Sequence, residues 1–361
     1  MPRKDEVFMA RALQLAEKGC YTTDPNPNVG CVLVKNDKIV AEGWHISAGS
    51  AHAEINALNK INSAKDMTAY VTLEPCSHTG KTGPCCDALI AAGIKRVVVA
   101  MQDPNPLVAG QGIKRMQDAG IEVVCNILSE DSFVLNKGYI QRMQTGLPFL
   151  LSKMAMSLDG RTAMASGESK WITSANARAD VQQLRAKSSA ILTGINTVLA
   201  DDPSLNVRLE EPIIQPVRVI LDSTLQMPLK AKMLALPGET WVLSCSSDKQ
   251  KIKQLENAGA QVFQLPDKGN RIDLNAVLVF LGQQQMNTVL IEAGAILNGA
   301  FLTEKLVNEW WLYMAPCILG DKGRGLFHLP QVQNMDDKKQ LKISSVRQIG
   351  SDLRLVFNKN N

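Results

Sequence analysis

His52, Cys76 and Cys85 are residues of the types that hold a borderline-soft metal ion, and Glu54 stands two positions after the first of them. One imidazole and two thiolates suit Zn²⁺ and leave a fourth tetrahedral position for water, which is how a catalytic zinc site differs from a structural one. If residues 51–58 open a helix, His52 faces the metal and Glu54 reaches the water, where its carboxylate can take a proton and return it.

The pattern H-x-E followed by P-C-x-x-C marks zinc-dependent nucleobase deaminases. This chain departs from it. After Pro75-Cys76 the second cysteine position is Thr79, so the third ligand has to be His78, Cys85 or Cys86. Residues 80–84 read as an inserted loop, and Pro84 suits the first position of a helix that Cys85 opens. Cys85 is therefore the expected ligand; Cys86 would point about 100° away around that helix, so the two do not face one metal together, and chemistry alone does not choose between them. The alternative is a structural zinc with His78 or Cys86 as fourth ligand, and it gives Glu54 nothing to do.

The elements that must position these groups follow from periodicity and turn residues. Residues 5–18 have the apolar recurrence of a helix, and the Pro/Asn-rich loop 22–28 leads into an apolar strand at 29–34 with a hairpin partner at 39–44. Then come the His52 helix, a strand at 69–73, a helix from Cys85 to Ala92, a strand at 96–100, a helix at 110–119, a strand at 121–124 and a polar helix at 128–143. Thr145-Gly146-Leu147-Pro148 reads as a hinge, dividing the chain into domains at 1–146 and 147–361. The second half starts afresh with strands at 149–156, 190–193, 217–221, 240–243, 261–264 and 288–291, and a helix at 175–186. Residues 310–315 and 353–357 read as late strands, with an antiparallel arrangement open, and 209–216 as a surface loop. Alternating strands and helices in both halves imply two α/β domains.

With 361 residues the chain exceeds the usual span of one core. A composition of 45% hydrophobic and 20% charged residues is that of a globular enzyme. A net charge of +4 and only 5% aromatics argue against a nucleic-acid path. No run of about 20 apolar residues suggests a membrane span, and the polar N-terminus lacks a signal peptide's apolar core, so a cytoplasmic protein is expected. Three of the eight cysteines fall between Cys76 and Cys86, which suits metal binding better than a disulfide framework.

The second half has no G-x-G-x-x-G after a strand. Residues 291–299, where Gly294, Ala295, Asn298 and Gly299 follow an apolar strand and open a helix, offer a place for a nucleotide, although the glycine loop alone is weak evidence for one. That arrangement puts backbone N–H groups where a pyrophosphate can sit.

His52-Ala53-Glu54, Pro75-Cys76-Ser77-His78 and Cys85-Cys86 are joined in the second half by two further motifs, Ser157-Leu158-Asp159-Gly160-Arg161-Thr162-Ala163 and Ser169-Lys170-Trp171-Ile172-Thr173. Together these make the whole chain similar to the bifunctional riboflavin-biosynthesis deaminase/reductase family. The resemblance implies an N-terminal cytidine-deaminase-like three-layer domain, which removes the 2-amino group of 2,5-diamino-6-(5-phosphoribosylamino)pyrimidin-4(3H)-one with one Zn²⁺. It also implies a C-terminal dihydrofolate-reductase-like domain, which reduces the ribosyl group with NADPH to give 5-amino-6-(5-phosphoribitylamino)uracil.

Carried over by position, Asn26, His45 and Lys81 are expected at the pyrimidine, and Ala155, Trp171, Thr197 and Asp201 at NADPH. Ser169, Arg185, Leu205 and Arg208 are expected at the reductase substrate, with the two arginines as phosphate forks. Lys153 and Glu292 are expected to orient the substrate or transfer protons beside the hydride. Gly83 stands where the family often has proline. The expected partner is a small pyrimidine ribosyl phosphate, with a homo-oligomer and no nucleic acid or membrane. The competing reading is a zinc deaminase acting on another nucleotide or a nucleic-acid base, with a C-terminal binding domain.

Overall fold

Apolar runs in the first half become strands because helices cover them on both faces. The computed structural model describes residues 4–77, 83–106 and 109–359 and divides into two units, Met1–Leu147 and Pro148–Asn361. The first unit runs α1 (Lys4–Ala16), β1 (Gly30–Lys35), β2 (Lys38–Trp44), α2 (Ala53–Leu58), β3 (Thr68–Val71), α3 (Cys85–Ala91), β4 (Arg96–Val99), α4 (Gln111–Asp118), β5 (Glu122–Val124) and α5 (Ser129–Thr145). The strands form one sheet in the order β2-β1-β3-β4-β5, with β1 antiparallel to its neighbours and β3, β4 and β5 parallel.

Successive strand residues point to opposite faces. Cys31, Leu33, Val71, Val97 and Val99 pack on Ala53, Ala57, Leu89 and Met116 of α2, α3 and α4. Val32, Val34, Tyr70 and Val98 pack on Met9, Ala12 and Leu15 of α1. Each such aliphatic side chain contributes about 1.5–3 kcal/mol on burial, so the two faces hold three layers together. Helices α2 and α3 therefore share one face, and their first residues meet. Pro84 is the N-cap of α3, one position earlier than its expected place, and Cys85 is the first helical residue.

The second unit runs β6 (Phe149–Ser157), β7 (Arg161–Ala163), α6 (Ala175–Ala186), β8 (Ala190–Gly194), α7 (Ile195–Asp201), β9 (Val217–Leu221), β10 (Thr240–Ser244), α8 (Lys249–Asn257), β11 (Gln261–Gln264), α9 (Leu274–Gln283), β12 (Thr288–Ile291), α10 (Ala295–Thr303), β13 (Glu309–Ala315), β14 (Arg324–Gly325), β15 (Leu341–Ile349) and β16 (Asp352–Lys359). Nine strands form a sheet in the order β11-β10-β9-β8-β12-β6-β13-β16-β15. The first seven are parallel; β16 and β15 are antiparallel at the edge. Of the two late strands read from the sequence, β13 is thus parallel to β6 and antiparallel to β16.

Helices α7, α8 and α9 were not expected. α8 buries Leu255 alone, and α9 buries Leu274, Val277, Leu278, Leu281 and Gly282 along one face, but its exposed Val279 on the other side blurs that stripe in the sequence. Their signal lies in Asp248 and Asp273, whose side chains accept the first free N–H groups of α8 and α9. No helix among the described residues is long and apolar enough to cross a membrane.

Candidate zinc centre and cofactor cleft

The N-cap of α2 is His52, and the first turn of α3 supplies Cys85, so two short helices and the 72–77 loop bring three donors together. The ligand atoms of His52, Cys76 and Cys85 lie within 4.8 Å of one another. His52 turns Nδ1 to the sulfurs, 3.2 Å from Cys85 Sγ and 3.6 Å from Cys76 Sγ. The Cys85 backbone N–H donates to Cys76 Sγ at 3.3 Å. Hydrogen bonding from the Cys85 thiol holds Cys76 well below the ordinary thiol value, and pushes Cys85 up in turn. Cys86 is buried in the apolar layer with Leu89 and Met116 and takes no part.

Glu54 is 3% exposed, and burial pushes its carboxyl up to about 7. Its Oε2 has no hydrogen-bond partner. An imidazole nitrogen and two sulfurs at this spacing fit zinc, and the orphaned Glu54 oxygen is the polar atom such a site would use.

His45 packs edge-on against His52, with ring centroids 5.3 Å apart. Its Nδ1 lies 3.2 Å from the Ala51 carbonyl and its Nε2 lies 3.1 Å from Asn26 Nδ2. Only one tautomer satisfies both bonds: Nδ1 donates to the carbonyl and Nε2 accepts from the amide. Burial lowers the His45 pKa, which favours this neutral form. Asn26 and His45 thus stand together beside the metal ligands, whereas Lys81 and His78 lie outside the described residues.

Two positioning residues went unseen in the sequence. Asn136 of α5 accepts the Asn28 N–H at 2.7 Å and donates to the Asn28 carbonyl at 2.9 Å, pinning the loop that carries Asn26. Glu74 is buried and accepts backbone N–H groups from Asp103, Gly110, Gly112 and Ile113, at 2.9–3.2 Å, anchoring the residues just before Cys76. Its place directly before Pro75-Cys76 was the available signal. Asn136 in a polar helix offered none.

In the second unit a cleft of about 2040 Å³ opens where β8 and β12 end and α7 and α10 begin. Ligands of open α/β sheets bind at such carboxyl ends. It gathers Lys153 and Ala155 of β6, Ser169 and Trp171 of the following loop, Arg185 of α6, Thr197 and Asp201 of α7, Leu205 and Arg208 beyond it, Glu292 after β12, and Gly294, Ala295, Asn298 and Gly299 around the start of α10. Trp171 is 71% exposed, with the Arg178 guanidinium 4.5 Å from its ring centroid.

Three of these residues work differently from expectation. Arg185 forks onto Glu292, with Nε to Oε1 at 2.5 Å and NH2 to Oε2 at 2.9 Å, while NH1 holds the Asn206 carbonyl at 3.0 Å. Its guanidinium is committed to the protein and is not an open phosphate fork. Asn298 is buried, its amide tied to Ser152 Oγ and the Ala293 carbonyl at 2.8 Å each, so it braces the loop from inside. A Cβ at Gly299 would lie 2.2 Å from the His328 carbonyl oxygen, so this glycine serves close packing of α10.

The register of β12 on β6, with Ile291 opposite Ser152, sets Glu292 beside Lys153. Burial works against charge on all three groups. In Arg185 and Glu292 the partner's charge outweighs it, so Glu292 is held below the ordinary carboxylate value and Arg185 above its own. In Lys153 burial wins and pulls the ammonium pKa down despite Glu292.

Residues 2–101 match the family model of the cytidine and deoxycytidylate deaminase zinc-binding region, and residues 148–355 match that of the RibD C-terminal domain. Fold and site therefore define a zinc-dependent deaminase joined to an NADPH-dependent reductase. The chain is 48% identical to the riboflavin biosynthesis protein RibD of Escherichia coli and 49% to that of Haemophilus influenzae, matches that cover 98% of this chain in each case and 98% and 97% of the relatives. RibD of Acinetobacter baumannii has a solved structure with a TM-score of 0.92 at 45% identity, covering 99% of both chains. A deaminase/reductase structure from Thermotoga maritima gives a TM-score of 0.88 at 32% identity, again covering 99% of both. The chain belongs to the RibD family, the bifunctional deaminase and reductase of riboflavin biosynthesis.

Proposed function

We propose that His52, Cys76 and Cys85 hold one zinc ion and that Glu54 carries protons during loss of the 2-amino group from 2,5-diamino-6-(5-phosphoribosylamino)pyrimidin-4(3H)-one. When bound, zinc supplies a Lewis acid that lowers the pKa of water. Glu54, with a carboxyl near 7, can take a proton from the attacking water and deliver it to the ring nitrogen, then take a second proton from the added hydroxyl and deliver it to the amine that leaves as ammonia. Asn26, held by His45, pairs with the polar edge of the pyrimidine and fixes its orientation.

In the second unit NADPH, when bound, supplies the hydride. Lys153, made more acidic by burial, donates a proton to the ribosyl oxygen as the sugar opens. Glu292, kept ionised by Arg185, fixes the ammonium and favours its reprotonation. Arg208 takes the substrate phosphate, with Ser169 and Leu205 lining the sugar. Ala155, Trp171, Thr197, Asp201, Gly294 and Ala295 line the path of the dinucleotide. The protein acts in the cytoplasm as a homo-oligomer on this free nucleotide and not on nucleic acid.

The observation that carries the reading is the three-donor cluster beside a buried carboxylate with an unpartnered oxygen. Zinc-loaded protein given the diaminopyrimidine substrate should release ammonia without NADPH and consume NADPH only afterwards. Glu54→Gln should stop ammonia release and still reduce pre-deaminated substrate. Undiminished ammonia release by that variant would remove Glu54 from the chemistry.

A further inference from the structure

Lys153 lines the cleft, and its ammonium makes no hydrogen bond or ion pair among the described residues. Glu292 acts on it through charge alone, because Arg185 takes both carboxylate oxygens. A proton donor has to be held in place to be effective, so another group must hold this one.

Strand register supplies that group. β13 runs beside β6 with Trp311 opposite Lys153 and Tyr313 opposite Ala155, and β16 sets Arg354 opposite Tyr313. Alternate residues of a strand share a face, so Lys153, Tyr313 and Arg354 all lie on the face that α6 covers. Tyr313 is fully buried, and Lys153 Nζ lies over its ring, 6.0 Å from the centroid, at the outer reach of a cation–π contact. The hydroxyl end of the ring is fixed, since it donates to Asp180 of α6 at 2.6 Å and the same Asp180 oxygen accepts from Arg354 at 2.8 Å. Arg354 in turn lies over the Trp311 ring, 4.6 Å from its centroid. Burial and the bond to Asp180 push the phenol up, so it stays a neutral hydroxyl. The charged groups around Lys153 are thus Glu292 after β12 and Arg185 and Asp180 on α6, with Arg354 of β16 paired to Asp180. Packing alone does not call for this arrangement, because apolar groups often replace a buried ion pair with no loss of stability.

We propose that Tyr313 is a positioning residue of the reductase site: its ring face steadies the Lys153 ammonium where the ribosyl oxygen arrives, and Asp180 and Arg354 hold the ring there. The proposal rests on the reading of Lys153 as the proton donor. The π face favours the charged form of Lys153, against the burial that lowers its pKa. Lys153 can donate only while protonated, so reduction falls as pH rises through its pKa. Weakening the π face moves that fall to lower pH.

The test replaces Tyr313 by phenylalanine and by its mono-, di- and trifluorinated analogues, which keep the ring's shape while draining its face. It follows kcat for reduction of deaminated substrate at saturating NADPH against pH, in the full chain. Along the series the alkaline limb should move down stepwise, by about 0.4–0.7 pH unit in all. Tyr313→Phe itself should lower the Tm, having lost the bond to Asp180, and move the limb less than Tyr313→Leu does. A limb that stays fixed through the fluorinated series would make Tyr313 a packing residue and overturn the proposal alone. Lys153→Met should lose both the reduction and its alkaline limb. A Lys153→Met protein that keeps both would sink the proton-donor reading, and the proposal with it.

Discussion

Replacing Arg185 by methionine keeps most of the side-chain volume and removes the guanidinium from a pair whose side chains are only 13% exposed on each side. Removing one partner of a buried pair costs about 3–5 kcal/mol, because the remaining charge has lost its compensation. Lys153 still faces Glu292 and supplies part of the missing charge, so the lower figure, about 3 kcal/mol, is expected. For a domain of this size each kcal/mol moves the Tm by about 2–4 °C, which puts the loss at roughly 6–12 °C for the second unit.

Arg185→Met combined with Glu292→Met should be milder than the sum of the two single changes, since no buried charge is left. In the wild type, burial alone would raise the Glu292 carboxyl, and Arg185 and Lys153 reverse that to a net lowering from 4.5. The unfolded chain therefore takes up this proton first, so the stabilisation is full above pH 4.5 and is lost as pH falls through the folded value. Arg185→Met should weaken that acid dependence. Calorimetric melting against pH measures both effects. Kinetics on phosphorylated and dephosphorylated substrate would show kcat falling alike for the two. A variant whose Tm stays within about 2 °C and which loses affinity only for the phosphorylated substrate would refute the reasoning and return Arg185 to the phosphate.

Gly112→Ala would place a Cβ 2.1 Å from the Pro75 carbonyl oxygen and 3.2 Å from Glu74 Oε1. The loop carrying Cys76 must move, so zinc content should fall below one per chain and deamination by about 100-fold, with reduction of pre-deaminated substrate unchanged. Full zinc at unaltered affinity in a chelator competition would contradict this. Asn136→Ala removes both bonds to Asn28, leaving part-buried backbone groups that water can partly satisfy, at a cost of about 1 kcal/mol each, the low end of the range for buried groups. The KM for deamination should rise more than kcat falls, and a lowered Tm with unchanged KM would assign Asn136 to stability alone.

The metal ligand types were legible because a zinc ion needs particular donor atoms, and His52, Glu54, Cys76 and Cys85 lie within 34 residues of one another. Helix geometry showed only that Cys85 and Cys86 cannot both face one metal, since adjacent helical residues face different ways; the grouping of Cys85 with His52 and Cys76 is a result of the fold. The roles of single arginines were not legible. Arg185 meets Glu292 across 107 residues of chain, and Asn136 meets Asn28 across 108. A guanidinium forks a carboxylate as readily as a phosphate, so residue type leaves the partner open.

By itself the sequence determined most of the strands and helices in each half, though not α7, α8 or α9, together with the residue types of the candidate metal site and the loop at Gly294, all of which depend on local periodicity or on short spacings. Only the tertiary structure decided which cations are already paired, which polar groups brace loops from inside, and that the Tyr313 ring lies beneath Lys153. The reason is physical: those outcomes depend on strand register and on which faces are buried, and a register such as β12 on β6 joins segments about 140 residues apart whose packing no local pattern encodes.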